Sequence, residues 1–151
     1  MPKINSNKLP RLLGGATAIA LLLSACSTVS TLDLEPGDCI NLPDDTNVAT
    51  GIELASVSQV SCSSEHEAQV YASVELDGEE MPSPEELQQR AIEFCEPAFE
   101  EFVGVPLARS SLDAFPLMPT KEGWERAGDR TLLCVAFSAS PVTDTFKNSK
   151  L

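Results

Sequence analysis

The fold is decided first by the stretch Ala68-Gln69-Val70-Tyr71-Ala72-Ser73-Val74-Glu75-Leu76. Its small and apolar side chains alternate with a second set that is mostly polar, so each set points to one face of an extended chain. A period of two is typical of a β-strand with one face on a core. The stretch therefore predicts a strand, which the turn residues Asp77-Gly78-Glu79-Glu80 end.

A helix is predicted to follow this strand. The sequence Ser83-Pro84-Glu85-Glu86 has the form of a capping box, with Ser83 as the N-cap and Glu86 able to reach back to it. Apolar residues then recur at helical spacing and form one stripe: Leu87, Ala91, Phe94, Cys95, Ala98, Phe99 and Phe102. Pro97 has no backbone N–H to donate, so we expect a kink, or a break into two helices, near Glu96.

Four further stretches have the character of strands. Two precede the helix, at residues 39–42 and 52–60, and two follow it, at residues 112–118 and 131–138. Strands on both sides of a single helix favour an α+β domain. We expect an antiparallel sheet of about five strands packed on one kinked helix.

The composition limits the possible functions. The chain has 151 residues, enough for one domain, and carries 10 Lys and Arg against 23 Asp and Glu, a formal charge of −13. A nucleic-acid partner is not expected, because phosphate binding needs clustered basic side chains. With 1 His, the sequence can supply at most one Ser-His or Cys-His pair. We expect no metal site and no cofactor.

The N-terminal segment has the pattern of an export signal. Basic residues at positions 3, 8 and 11 precede an apolar run at residues 12–23. As a helix this run would be about 18 Å long, too short for a hydrocarbon core of about 30 Å. The run ends in Leu23-Ser24-Ala25-Cys26, which resembles the lipobox of bacterial lipoproteins. That resemblance implies that Cys26 receives a diacylglyceryl group, with acyl chains such as palmitate, and becomes the first mature residue. The alternatives are an ordinary secretory signal and an uncleaved anchor.

These features divide the chain into four parts. We expect a lipoprotein signal peptide at residues 1–25, an acylated tether at 26–36, a folded domain at 37–138 and a polar, fraying tail at 139–151. Cleavage would leave 7 basic residues against 23 acidic ones, so an anionic membrane surface would repel the mature chain. Attachment to the outer face of the cell membrane therefore requires the lipid anchor. Since a single acyl chain binds only marginally, both chains of the diacylglyceryl group are needed.

The cysteines support the same interpretation. Without Cys26 an even number remains, and these are Cys39, Cys62, Cys95 and Cys134. In an exported domain these cysteines can be oxidised to disulfides. The sequence contains no Cys-x-x-Cys pair, so it does not indicate a zinc ribbon or a redox motif. Of the three possible connectivities we favour Cys39–Cys62, which would join neighbouring strands, and Cys95–Cys134, which would join the helix to the last strand.

The order of several short motifs resembles one known family. In chain order these motifs are Gly37-Asp38-Cys39-Ile40, Val60-Ser61-Cys62 with His66 four residues later, Cys95, Trp124, Gly128-Asp129-Arg130 and Cys134. Together they resemble the septum-formation domain of exported or membrane-anchored actinobacterial proteins, over residues 36–137. The resemblance implies a link to cell division and supplies no catalytic residues.

Three residues are candidates for a binding site. His66 would have to be the base of any hydrolase, but we favour a structural histidine that bonds the backbone at the start of a strand. Trp124 is either a partner anchor or part of the core, and we favour the core, with Arg130 paired to a nearby acid. The acidic groups at residues 44–45 and 77–80 lack EF-hand spacing, so we favour a solvated acidic surface over a calcium site.

The sequence favours a non-enzymatic, lipid-anchored lipoprotein that binds another component of the cell envelope, in septum formation or wall maintenance. One alternative is a small extracytoplasmic hydrolase or transferase that uses His66. Another is a lipoprotein that binds a small ligand or a cation.

Overall fold

The computed structural model describes residues 27–43 and 56–151. In these residues six strands form one sheet: β1 (Ser27–Ser30), β2 (Cys39–Asn41), β3 (Ser56–Val60), β4 (His66–Glu75), β5 (Asp113–Leu117) and β6 (Thr131–Val142). The order across the sheet is β1-β3-β2-β4-β6-β5, and every pair is antiparallel. One long helix, α1 (Pro84–Val103), packs on this sheet. The predicted α+β class is confirmed, with one strand more than expected.

The additional strand is β1, in the segment that was expected to be a tether. It pairs with β3 from Ser27, opposite Gln59, to Ser30, opposite Ser56. The β-branched residues Thr28 and Val29 favour this extended conformation. A short 3-10 helix at Thr31–Asp33 follows, and Leu34 is then buried. Residues 27–34 are therefore part of the folded domain, whereas Cys26 and the signal segment lie outside the described residues.

Helix α1 begins at the predicted capping box. The Ser83 hydroxyl accepts from the Glu86 N–H at 3.3 Å, and the Glu86 carboxylate accepts from the Ser83 N–H at 2.9 Å. These bonds to the charged form lower the pKa of Glu86. The helix ends at Gly104, whose φ of 93° is left-handed. No helix in the described ranges has the length and apolarity needed to cross a membrane.

The expected break at Pro97 is not observed, because α1 runs through it as one helix of 20 residues. Buried side chains hold the helix against the sheet on both sides of the proline, with Cys95 before it and Phe99 and Val103 after it. Tertiary packing therefore compensates for the backbone hydrogen bond that proline removes.

The sheet separates two apolar clusters. The cluster on the α1 side contains Tyr71, Phe99 and Cys134, and the cluster on the other side contains Ile40, Val70 and Val135. Neighbours on one strand, such as Cys134 and Val135, therefore belong to opposite clusters, as the period of two requires. Both faces of the central strands are buried, which explains why residues 132–136 form a continuous run of small and apolar side chains.

Both predicted disulfides are confirmed. Cys39 of β2 is bonded to Cys62, just after β3, with the Cα atoms 5.2 Å apart. Cys95 of α1 is bonded to Cys134 of β6, with the Cα atoms 5.6 Å apart. The second bond fixes the helix covalently to β6, an inner strand of the sheet.

The C-terminal segment, residues 143–151, differs from the expected fraying tail. Strand β6 extends to Val142, and Phe146 is fully buried beyond it. The N–H groups of Asn148 and Lys150 donate to Phe102 O and Val103 O at the end of α1. The segment is polar at most positions, but one aromatic side chain and its backbone donors are enough to fix it to the domain.

Candidate functional site

His66 lies at the start of β4 and is fully buried. Its Nδ1 lies 2.9 Å from Ser64 O, and because a carbonyl oxygen only accepts, Nδ1 carries the proton. Its Nε2 is buried without a hydrogen-bond partner among the described residues. The ring centroids of His66 and Phe146 are 5.7 Å apart, so the C-terminal segment packs against this histidine. The predicted backbone bond at the start of a strand is present.

Gln69 shows how the C-terminal segment is attached. This side chain is 2% exposed, and its amide oxygen accepts from the Phe146 N–H at 2.7 Å and the Thr145 hydroxyl at 3.1 Å. Its amide nitrogen donates to Gly37 O at 2.9 Å. Since both ends of the amide are bonded, Gln69 has a structural role that the sequence pattern did not indicate.

Trp124 and Arg130 form one structural unit. Trp124 is 3% exposed and donates from Nε1 to Glu79 O at 2.9 Å. The Arg130 guanidinium lies 3.8 Å from the centre of the Trp124 ring and bonds to carbonyl oxygens of Gly78, Trp124 and Asp129. No acidic side chain of the described residues pairs with Arg130 as expected, and backbone carbonyls and the indole ring are its partners instead. The pair joins the loop before α1 to the loop before β6.

A groove between α1 and β5 is open to solvent. Its inner part is a cavity of about 130 Å³ between residues 88–96 of α1 and residues 114–116 of β5. Ala114 and Pro116 lie on the helix side of β5, and their small side chains leave this space unfilled. An outer cavity of about 510 Å³ continues it past Glu96 and Glu100 to the loop at Pro106. We refer to both cavities together as the groove.

The groove has an apolar floor and an acidic rim. Ile92 projects from α1 with 43% of its surface exposed, although the apolar stripe did not include it. Glu96 and Glu100 are exposed on the same side of the helix, and no Lys or Arg of the described residues lines either cavity. The buried Tyr71 hydroxyl donates to Cys95 O at 3.1 Å. Desolvation first, and the Glu96 charge second, raise the pKa of Tyr71.

The three candidate residues are not brought together in one site of the described structure. His66, Trp124 and Arg130 have separate structural contacts, as given above. Nowhere in residues 27–43 and 56–151 do three potential metal-binding side chains of His, Cys, Asp or Glu converge. The acidic pair at residues 44–45 lies outside the described ranges. The groove was not predicted, and its only signals in the sequence are an apolar residue outside the helix stripe and a strand with small residues.

Comparison with known proteins gives a consistent result. The family model described as septum formation matches residues 36–150. Two uncharacterized membrane proteins of Mycobacterium tuberculosis, from strains CDC 1551 / Oshkosh and ATCC 25618 / H37Rv, are each 32% identical over 115 residues. That alignment covers 70% of this chain, which spans about a quarter (24%) of the length of these relatives. No solved structure matches the chain. Because the family model covers most of the sequence, the chain belongs to the septum-formation family.

Proposed function

We propose that this protein is a lipid-anchored lipoprotein on the outer face of the cell membrane. Its domain would act there as a non-enzymatic interaction module, in septum formation or wall maintenance. Membership of the septum-formation family and the membrane-protein names of its relatives support a role in the cell envelope. The finer statements, on the anchor and on binding, rest on the arguments that follow.

The observation that carries the proposal is the environment of His66. A general base must reach a nucleophile or a substrate, and the only histidine of this chain is fully buried, with Phe146 against its ring. Its Nε2, the nitrogen free to act as a base, faces no serine or cysteine donor among the described residues. This arrangement favours a structural histidine over the alternative hydrolase or transferase.

The anchor is supported by the sequence around Cys26 and by the two disulfides. Cys26 follows Leu23-Ser24-Ala25 at the end of an apolar run, and β1 begins at the next residue. An acyl group on Cys26 would therefore hold the edge of the sheet close to the bilayer. The two disulfides support an oxidising location outside the cytosol.

The anchor can be tested by metabolic labelling with a palmitate analogue, followed by intact-mass measurement of membrane-extracted protein. We expect label on the wild-type chain, a mass that includes the lipid, and a four-dalton deficit for two disulfides. Cys26→Ser should lose the label and the lipid mass, whereas the neighbouring change Ser27→Ala should keep both. An unlabelled wild-type chain would contradict the anchor.

The absence of catalysis by His66 can be tested by substitution. Because His66 is buried, His66→Ala should lower the melting temperature, and any cellular defect should follow the loss of folded protein. A defect with an unchanged melting temperature and unchanged protein level would instead support the hydrolase alternative. For the cation-binding alternative, the matching test is calcium addition, which we expect to leave the melting temperature unchanged.

A further inference from the structure

Strand β5 is an edge of the sheet and has backbone groups directed outward. Among the described residues it pairs with β6 alone, with Ala114 opposite Ala136 and Pro116 opposite Cys134. Since proline has no N–H, Pro116 must occupy a position that does not bond to β6. Ala114, two residues earlier, then directs both its N–H and its C=O away from the sheet. No backbone bond joins Ala114 to any segment outside the sheet in the described part of the chain.

The groove lies along this free edge. A strand added beside β5 would place alternate side chains on the helix side of the sheet, where the inner cavity is. Its floor there is apolar, with Ile92 exposed on α1 and Leu107 and Ala114 beside it. A long side chain entering this cavity would cover Ile92 with its aliphatic part and reach the rim with its end group.

The charge of the groove rim determines which end group of a partner's side chain would bind there. Glu96 lies at the junction of the two cavities and lines both, and Glu100 lies one helical turn further on. The salt bridges found among the described residues, Lys121–Glu125 and Arg126–Glu122, involve neither residue. A lysine or arginine from a partner would complement this rim, and an acidic or anionic partner would be repelled.

We propose that the groove binds an extended, basic polypeptide segment of an envelope protein, which pairs with the edge of β5 at Ala114. One Lys or Arg of this segment lies over Ile92 and ends at Glu96. The proposal rests on the function proposed above only in treating the domain as an interaction module. It needs neither the lipid anchor nor a role in division.

Other occupants fit the groove less well. A second copy of this chain would pair one β5 with another and bring two acidic rims together, and β5 itself contains Asp113 and no basic residue. A membrane of anionic lipid would be repelled by Glu96 and Glu100. A basic strand is the occupant that satisfies the apolar floor, the free backbone groups and the acidic rim together.

The test uses the whole chain as it is produced by the cell, purified in a neutral detergent from whichever fraction contains it. The probe is a blocked octapeptide of alternating Lys and Val, and its counterpart has Glu in place of Lys. We expect saturable binding of the Lys peptide by calorimetry, with chemical-shift changes at the amides of Ala114 and its neighbours. The Glu peptide should not bind. A Lys peptide methylated at alternate backbone nitrogens should lose binding, because it cannot pair with the strand edge.

Matched variants separate the site from general attraction to an acidic protein. Glu96→Gln should weaken the Lys peptide about fivefold, the upper range for a partly exposed ion pair. Glu101→Gln removes the same charge from a neighbouring exposed position that lines neither cavity, and should change affinity less than about twofold. Ile92→Ser tests the apolar floor without changing charge and should also weaken binding.

Three outcomes would overturn the proposal. They are equal binding of the Lys and Glu peptides, equal loss for Glu96→Gln and Glu101→Gln, and shift changes located away from β5. If the chain dimerises with increasing concentration and the dimer blocks the groove, the occupant is a second copy of the chain and not a basic peptide. Palmitate labelling of the same preparation reports on the anchor independently, so failure of the groove and failure of the anchor are distinguishable.

Discussion

Two regions beside α1, the C-terminal segment and the groove, differ in how many of their side chains have partners within the chain. At the C-terminal segment, Phe146 fills the space next to His66, and the Gln69 amide bonds to Gly37, Thr145 and Phe146. At the groove, Ile92 is exposed, and the described residues provide no basic partner for Glu96. Polar and apolar side chains are therefore used for folding in the first region and left available in the second.

This difference separates structural from binding roles better than residue type does. His66, Trp124 and Arg130 attract attention because histidine, tryptophan and arginine are frequent in functional sites, yet each is bonded within the domain. The groove is built mainly from alanine, proline, isoleucine and glutamate. If the comparison is correct, removing a residue of the first region should cost stability, and removing one of the second should cost binding.

The largest expected effect is at Phe146. Phe146→Ala removes a fully buried aromatic side chain and should lower the free energy of unfolding by about 3–5 kcal/mol. Ile92→Ala, at an apolar residue that is 43% exposed in the groove, should cost less than about 1 kcal/mol. Denaturant unfolding of both variants measures the difference. Equal losses would break the distinction between the two regions.

The disulfides should give the next largest effect. In the chain-entropy model, loss of the Cys95–Cys134 bond, with 39 residues of separation, costs about 4 kcal/mol. Loss of the Cys39–Cys62 bond, with 23, costs about 3.4 kcal/mol. The double serine variant at Cys95 and Cys134 should also weaken the Lys peptide, because Cys95 lines the groove. The variant at Cys39 and Cys62 should keep peptide binding wherever it remains folded, and parallel unfolding and calorimetry would test this.

A smaller effect concerns alkaline pH. Burial raises the pKa of the Tyr71 hydroxyl above 10.0, so the unfolded state loses this proton first as the pH rises. The resulting stability is fully present below pH 10.0 and is lost above it, at up to about 1.4 kcal/mol per pH unit. Tyr71→Phe should flatten this dependence and cost about 1 kcal/mol at neutral pH through the lost bond to Cys95 O. Tyr71 is the only tyrosine, so tyrosinate absorbance reports its titration directly. An unchanged alkaline slope in Tyr71→Phe would contradict this assignment.

The smallest expected effect on stability is at the acidic rim. Glu96→Gln and Glu101→Gln both remove an exposed charge, and each should change the melting temperature little, as surface substitutions usually do. Only Glu96→Gln should reduce peptide binding. A large loss of stability in Glu96→Gln would show that the rim stabilises the fold, which would contradict a binding role for the groove.

Much of the fold could be predicted because its signals are local. The alternation at residues 68–76 and the capping box at Ser83 each depend on neighbours in sequence, and both elements form where expected. The disulfide pairing could be inferred from the order of the elements. The tether and tail were predicted less well, because β1 and the segment at Phe146 are stabilised by partners distant in sequence, β3 and Gln69.

The candidate site was harder to predict for the same reason. The backbone bond of His66 is local, to Ser64, and was foreseen as a type of contact. The helix continues through Pro97 because Cys95 and Phe99 are held by the sheet, which no helical pattern contains. The groove exists because β5 is an edge and carries small residues opposite Ile92, and both facts depend on strand order.

The sequence by itself determined the α+β class, the start of the helix, the oxidised cysteine pairs and the strong negative charge, since period, capping and composition act over short distances. Tertiary structure alone decided which polar and apolar groups are satisfied. His66 packs against Phe146, which is 80 residues away in the sequence, so this contact forms only when the sheet brings the two segments together. Ile92 is exposed because the small side chains of the edge strand β5 do not cover it. Whether a side chain is used by the fold or left for a partner is a property of its neighbours in space.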